Sequence, residues 1–217
     1  MANRPVFMPT KKAPFVDVYM GEFTWNGGFA VSQKQKNIAA LHQSFNQRFP
    51  DRKVLEISSK SMQSLGVKLS AFNLKKFVPS LGLSTPVECA FQGGKVFAAG
   101  GPYTDLYIAT AREAKRDPRL KSSGMLRRFF FEGEEMPLTP RTAFYNWLYI
   151  NALLENPDLA EQLLEYDGFT DIEFNPDKSI NCQAEAAALF VALSRQGLLD
   201  QCRHFDMFIQ LLQPKGA

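Results

Sequence analysis

Histidine and cysteine are scarce in this 217-residue chain, with two histidines (His42, His204) and three cysteines (Cys89, Cys182, Cys202). Only Cys202 and His204 stand close in sequence, and two ligands do not make a metal centre. Zinc motifs of the CxxC or HExxH kind are therefore excluded, and neither a metal nor a cofactor is expected. A histidine-centred catalytic triad has only two residues to draw on. The odd cysteine count, with no signal peptide, points to a reducing, cytoplasmic setting. No apolar run approaches a membrane span, so no membrane partner is expected. Aromatic residues are plentiful: 19 of them are phenylalanine. The spacing of Phe144, Trp147 and Leu148 marks a buried helical stripe rather than a base-stacking platform.

The formal net charge of +3 hides a segregation. Residues 1–76 carry twelve Lys/Arg against Asp17, Glu22, Asp51 and Glu56. Residues 112–128 hold seven bases against Glu113 and Asp117, whereas residues 155–177 hold eight acids and no base. Such a split fits a basic surface for a polyanion, and equally fits solvated helix faces.

Alternation in the first 30 residues reads as an extended arm or a strand pair, followed by a helix over 32–47 with Ser32 as N-cap. That helix puts Ile38, Leu41 and Phe45 on one stripe. Strands are expected at 54–58, 128–133 and 170–174. Helices are expected at 86–98, 104–117, 140–155, 157–166, 183–195 and 198–212. The simplest organisation is one mainly helical α+β domain at 51–217, with residues 1–50 as an N-terminal extension packed on it.

Four stretches could carry chemistry. On a helix, Glu88, Gln92 and Lys95 share one face, bringing together a carboxylate, an amide and an ammonium; a mutually paired exposed face is the plainer alternative. Gly100-Gly-Pro-Tyr-Thr-Asp105 could cradle an anion at a helix start, or simply connect two helices. Lys60 follows a predicted strand, where desolvation can make an amine nucleophilic. Asp171 and Glu173, two apart on a strand, would point to the same face and could serve a cationic sugar transition state, or form the polar side of an edge strand. Asn181 opens an apolar helix, where it could be no more than the N-cap.

A series of segments, in order, resembles the NADAR (YbiA-like) family over roughly residues 54–195. Leu69-Ser-Ala-Phe72 resembles its LSNF segment, and Glu88 through Lys95 its E-x-x-x-Q-x-x-K helix. Ala114-Lys-Arg116 is similar to the small-residue and arginine segment that follows. The run from Ala152 to Leu164 looks like the late helical pair, and Asn181 falls where an N-x-L-G element begins. Two family features have no counterpart: a tryptophan near Pro137, and a D-x-x-W-G loop whose place is taken by FTDIEFNPDKSIN. The wording of the segments is most similar to NADAR antitoxins paired with DNA-modifying ADP-ribosyltransferase toxins.

This resemblance implies a compact YbiA-like fold and hydrolysis of the N-glycosidic bond joining ADP-ribose to guanine in DNA. The partners it implies are ADP-ribosylated DNA, taken as single-stranded, and the cognate toxin. Lys60, Glu88 and one of Asp171 or Glu173 would be catalytic. Ser70, Phe72, Gln92, Lys95 and Asn181 would contact substrate. Gly100, Gly101 and Tyr103 would hold the pyrophosphate and adenosine end, with Arg112 and Arg116 neutralising phosphate. Other readings are an N-glycosidase for a phosphoribosyl metabolite, or an ADP-ribose or NAD binding module without turnover. His42 and His204 lie outside the resembling segments and are expected to be dispensable.

Overall fold

In the computed structural model, residues 1–177 and 179–213 are described, so Lys178 and the last four residues of the anticipated 51–217 unit lie outside it. Alternation near the N-terminus produces a strand pair, β1 (Ala2–Pro9) and β2 (Val16–Phe23), antiparallel from Ala2↔Phe23 to Pro9↔Val16. Helix α1 (Val31–Arg48) follows and buries Ile38, Leu41 and Phe45, the stripe its spacing predicts. It starts at Val31 with Ala30 as N-cap, and Ser32 lies inside the first turn. Strand β3 (Val54–Glu56) is buried at every residue.

Next come α2 (Ser64–Lys68), the hairpin β4 (Lys75–Val78) and β5 (Leu83–Pro86), α3 (Val87–Gly93) and β6 (Lys95–Phe97). The helix expected over 86–98 thus stops at Gly93. A Cβ on Gly93 would meet the Tyr107 ring at 2.4 Å, and one on Gly94 the Phe130 carbonyl at 2.9 Å. The glycines let the chain pass close to these groups as it changes from helix to strand.

The helix expected over 104–117 is likewise broken. A 3-10 turn at Thr104–Ile108 gives way to α4 (Ala111–Arg116), restarted by a capping box in which Thr110 and Glu113 bond reciprocally. After α5 (Arg119–Ser122), β7 (Leu126–Phe131) and β8 (Glu134–Met136) form a hairpin. Its turn, Glu132-Gly133, has φ of 50° and 88°, the left-handed pair a two-residue hairpin requires.

Helix α6 (Ala143–Leu154), α7 (Pro157–Leu163), β9 (Gly168–Thr170), α8 (Gln183–Ser194) and α9 (Phe205–Leu212) complete the chain. Most residues of α6 and α8 are buried, which makes this packed pair the centre of the core. Each large apolar side chain enclosed there, such as Phe144, Leu148 or Phe190, contributes roughly 1.5–3 kcal/mol by leaving water.

Among the described residues the strands form three sheets, ordered β2-β1-β9-β3, β4-β5 and β6-β7-β8. The architecture is mixed α/β, its helices accompanied by more strands than the sequence pattern signals. The overlooked strands are three or four residues long, too short for a periodic signal. The strands of the first 23 residues share a sheet with β3 and β9, because β1 pairs with β9 at Phe7↔Phe169. Strands β3 and β9 run parallel, Val54↔Gly168 to Glu56↔Thr170, so the loops leaving them emerge at the same sheet edge. Such edges are where open α/β sheets commonly hold ligands. No described helix is long and apolar enough to cross a membrane.

Candidate active site

Helix α3 brings the first functional groups. Glu88 and Gln92 are buried, and the Gln92 amide donates to Glu88 Oε1 at 2.8 Å. Lys95 Nζ donates in turn to Gln92 Oε1 at 2.7 Å and lies 4.5 Å from the Phe91 ring centroid. The trio predicted to share a face therefore meets, although Lys95 does so from β6. The mutual pairing is real, but the face is enclosed rather than exposed. Burial lowers the Lys95 pKa to about 8; Glu88 opposes that shift and the Lys115 charge adds to it.

The second group comes from the loop after β9. The expected strand over 170–174 ends at Thr170, and the chain turns, with Phe174 N–H donating to Asp171 O at 3.1 Å. Asp171 Oδ1 accepts the Glu173 N–H at 3.0 Å, an Asx-type turn that pulls the two acids apart. Asp171 is buried, with 9% of its surface exposed, whereas Glu173 is exposed and ion-paired to Lys34 at 3.1 Å. Burial first, and the neighbouring Glu56 carboxylate second, raise the Asp171 pKa to about 8. The two carboxylates thus do not share a face, and their environments differ.

The Leu69–Phe72 segment ties these parts together. Ala71 O accepts the Glu88 N–H at 2.9 Å, and Ala71 N–H donates to Gln183 Oε1 at 2.7 Å. The Gln183 amide then donates to Asp171 Oδ2 at 3.0 Å. One backbone residue and one glutamine therefore fix the start of α3 relative to the acid. Tyr145, on α6, is buried with its phenol raised well above the usual range by desolvation and by the charges of Glu88 and Asp171. Lys115 Nζ lies over the Phe72 ring at 5.2 Å, and its charge acts on both Lys95 and Asp171.

Lys60 is half-buried in the loop after β3, its N–H donating to Ser58 Oγ at 3.1 Å. The parallel pairing of β3 and β9 directs that loop and the Asp171 turn from one edge. Ser70 is engaged locally, donating to Val67 O at 2.7 Å and accepting from Asn73 at 3.0 Å. Asn181 lies one residue before Cys182, the actual N-cap of α8, and its buried Oδ1 has no partner among the described residues.

The Gly100–Tyr103 turn is internally committed. A Cβ on Gly101, at φ +90°, would sit 2.2 Å from Lys95 O, and one on Gly100 would strike the Tyr103 hydroxyl. Tyr103 bonds Ser123 through its hydroxyl, gives its N–H to Gly93 O at 2.8 Å, and is covered by Arg119 at 4.4 Å from the ring centroid. Asp105 and Asp117 in turn hold Arg119. The Tyr103 and Arg119 side chains are thus engaged within the turn. Arg112 and Arg116 are exposed on α4, and the cation of that helix whose charge reaches the acid is Lys115. Two hollows, of 310 and 300 Å³, lie elsewhere, beside Tyr107 and Glu132 and beside Trp147 and His204.

Sequence reasoning missed Tyr145, Lys115, Gln183 and a buried group behind the acid formed by Glu56, Thr170 and His42. An acid inside the apolar run Val-Leu-Glu-Ile was the available signal for Glu56. His42 does not stand apart from the site region, since its Nε2 lies 2.9 Å from Thr170 Oγ1.

A family model described as DarT1-associated NADAR antitoxin matches residues 2–217. No curated protein matches the chain.

Proposed function

The chain belongs to the DarT1-associated NADAR antitoxin family, and from that premise we propose that it is a hydrolase removing ADP-ribose from guanine bases in DNA. The observation that supports this most is the pairing of environments around the site. Asp171 is a buried carboxyl with a pKa of about 8, and Glu88 is a second carboxylate held in a hydrogen-bonded row with a lysine. Two acids with different surroundings are what cleavage of a glycosidic bond needs, one to give a proton and one to face a cationic sugar.

Asp171, neutral at pH 7, protonates the nitrogen of the departing guanine as the bond to the anomeric carbon breaks. Glu88 Oε1 is occupied by Gln92, leaving the other oxygen for a ribose hydroxyl and the developing positive charge. The Lys60 amine bonds to the anomeric carbon as guanine leaves, and one proton of its nitrogen passes to the ring oxygen as the ring C–O bond breaks, leaving a protonated imine and a free hydroxyl. The Asp171 carboxylate then activates water, which releases ADP-ribose and returns both residues to their starting state. Lys115, with Arg112 and Arg116 on the same helix, neutralises the pyrophosphate. Asn181 Oδ1, buried and unpartnered among the described residues, accepts from the substrate. Glu173 stays at the rim, paired with Lys34.

One observation favours Lys95 over Lys60 as the amine: burial lowers its pKa to about 8, so a fraction is neutral near pH 7. Comparing Lys60→Ala with Lys95→Ala separates the two. The activity itself is tested by incubating the folded protein with an oligonucleotide carrying ADP-ribosylated guanine. Release of ADP-ribose supports the reading; tight binding of ADP-ribose without release replaces it with a binding module.

A further inference from the structure

Directly behind Asp171 lies a buried polar group that the proposed reaction does not use. Glu56 is 1% exposed on β3, between Leu55 and Ile57, both fully enclosed. Its two oxygens hold the residues on either side of Asp171: Oε2 accepts the Thr170 hydroxyl at 2.6 Å, and Oε1 accepts the Ile172 N–H at 2.9 Å. Thr170, itself fully buried, gives its only proton to Glu56, so it accepts from His42 Nε2–H at 2.9 Å. His42 arrives from α1, 128 residues away in sequence. Burial keeps the imidazole neutral, with a pKa of about 4.

A carboxylate is a costly way to satisfy one buried N–H, because desolvating its charge disfavours the fold unless the geometry is used. Here the cost coincides with the one turn whose geometry decides where the acid points. We propose that Glu56 and His42, acting through Thr170, are positioning residues that clamp the two neighbours of Asp171 and so aim its carboxyl at the substrate. The assignment rests on the reading of Asp171 as the proton donor. It also gives α1 a part in the site, reached from the back of the β9 turn.

The clamp has an electrostatic side as well. The ionisable groups facing Asp171 are Glu56 from β3, Lys115 from α4, Tyr145 and Tyr149 from α6, and Cys182 ahead of α8, with Glu173 beyond the turn. Burial raises the Glu56 pKa too, while the hydrogen bonds it accepts from Thr170 and Ile172 favour its carboxylate form; as the carboxylate it both bonds the flanking residues and pushes the Asp171 proton affinity upward. Replacing it by an isosteric neutral side chain therefore lowers that affinity, and activity that depends on a protonated Asp171 is lost at a lower pH.

The test compares Glu56→Gln, Thr170→Val and Thr170→Ser with wild type on the ADP-ribosylated guanine oligonucleotide. Alongside it, hydrogen exchange is measured for the segment containing residues 170–174. Glu56→Gln and Thr170→Val are expected to lose on the order of 10- to 100-fold in kcat, with KM little changed, the range that misaligning a reacting group produces. In Glu56→Gln the alkaline limb of the pH profile moves to lower pH. Thr170→Ser, which restores the hydroxyl, keeps wild-type turnover. Exchange in the segment rises in the first two variants and not in the third. Wild-type kcat and an unmoved alkaline limb in folded Glu56→Gln overturn the inference; if that variant does not fold, wild-type kcat in Thr170→Val does so. Should wild type itself release no ADP-ribose, the functional reading fails separately, and unchanged exchange in Glu56→Gln and Thr170→Val overturns the clamp.

Discussion

Replacing Asp171 by asparagine should disable the protein and remove a loss of stability that grows with pH. In the folded chain the Asp171 pKa is raised to about 8 from an ordinary 3.8, chiefly by burial. Between these values the native state holds a proton that the unfolded state has released, so stability falls as pH rises through this window. The slope for one such group is about 1.4 kcal/mol per pH unit. From pH 5 to pH 7 the wild type therefore loses up to about 2.7 kcal/mol on account of Asp171 alone. Asparagine has no proton to lose and can still accept the Glu173 N–H, so that slope vanishes in Asp171→Asn. Urea unfolding of both proteins at pH 5, 6 and 7 measures the difference. A gap that widens by roughly 1 kcal/mol or more per unit supports the reasoning; equal pH slopes in the two proteins refute the claim that Asp171 is buried as a neutral acid.

Other predictions concern separate residues. Glu88→Ala should lower turnover by roughly 100-fold, the scale of losing a group that stabilises developing charge; if Lys60→Ala retains wild-type turnover beside it, Lys60 is not the amine. Gly93→Ala places a methyl 2.4 Å from the Tyr107 ring and should cost about 1–3 kcal/mol by overpacking, read as a shift of the urea midpoint. His204 is an exposed residue at the start of α9 with no side-chain cap bond, so His204→Ala should keep both stability and turnover. His42, by contrast, has a pKa lowered to about 4 by burial. Its contribution should be lost as pH falls from about 6.5 toward 4, steepening acid unfolding of the wild type relative to His42→Phe.

Much of the candidate site could be read from the chain because its parts are local. Glu88, Gln92 and Lys95 lie within eight residues, and their spacing alone brings them together, whether Lys95 sits on the helix or two residues past its end. Asp171 is different. Its pKa is raised by burial and by Glu56, more than a hundred residues before it, while Gln183, twelve residues after it, donates a hydrogen bond that opposes the shift; no local pattern encodes either. The alternation of Thr-Asp-Ile-Glu-Phe suggested a strand, but Glu56 captures the Ile172 N–H that a strand partner would have taken, and the chain turns instead. Gly100 and Gly101 carry a constraint of another kind: a glycine pair before a helix start reads as an anion cradle or as a plain connection, and here the close approach of the Tyr103 hydroxyl and the Lys95 carbonyl requires it. The helices predicted from periodicity were recovered where they are long and buried. They failed at Gly93 and Thr110, where single residues decide termination.

The most direct test is mass spectrometry of a single-stranded oligonucleotide carrying one ADP-ribosylated guanine, sampled during a single turnover at pH 7 with wild type and Asp171→Asn in parallel. Wild type is expected to return the strand to the mass of unmodified guanine and liberate ADP-ribose, while Asp171→Asn leaves the adduct in place. An adduct that survives wild type, or one that both proteins remove at the same rate, contradicts that expectation.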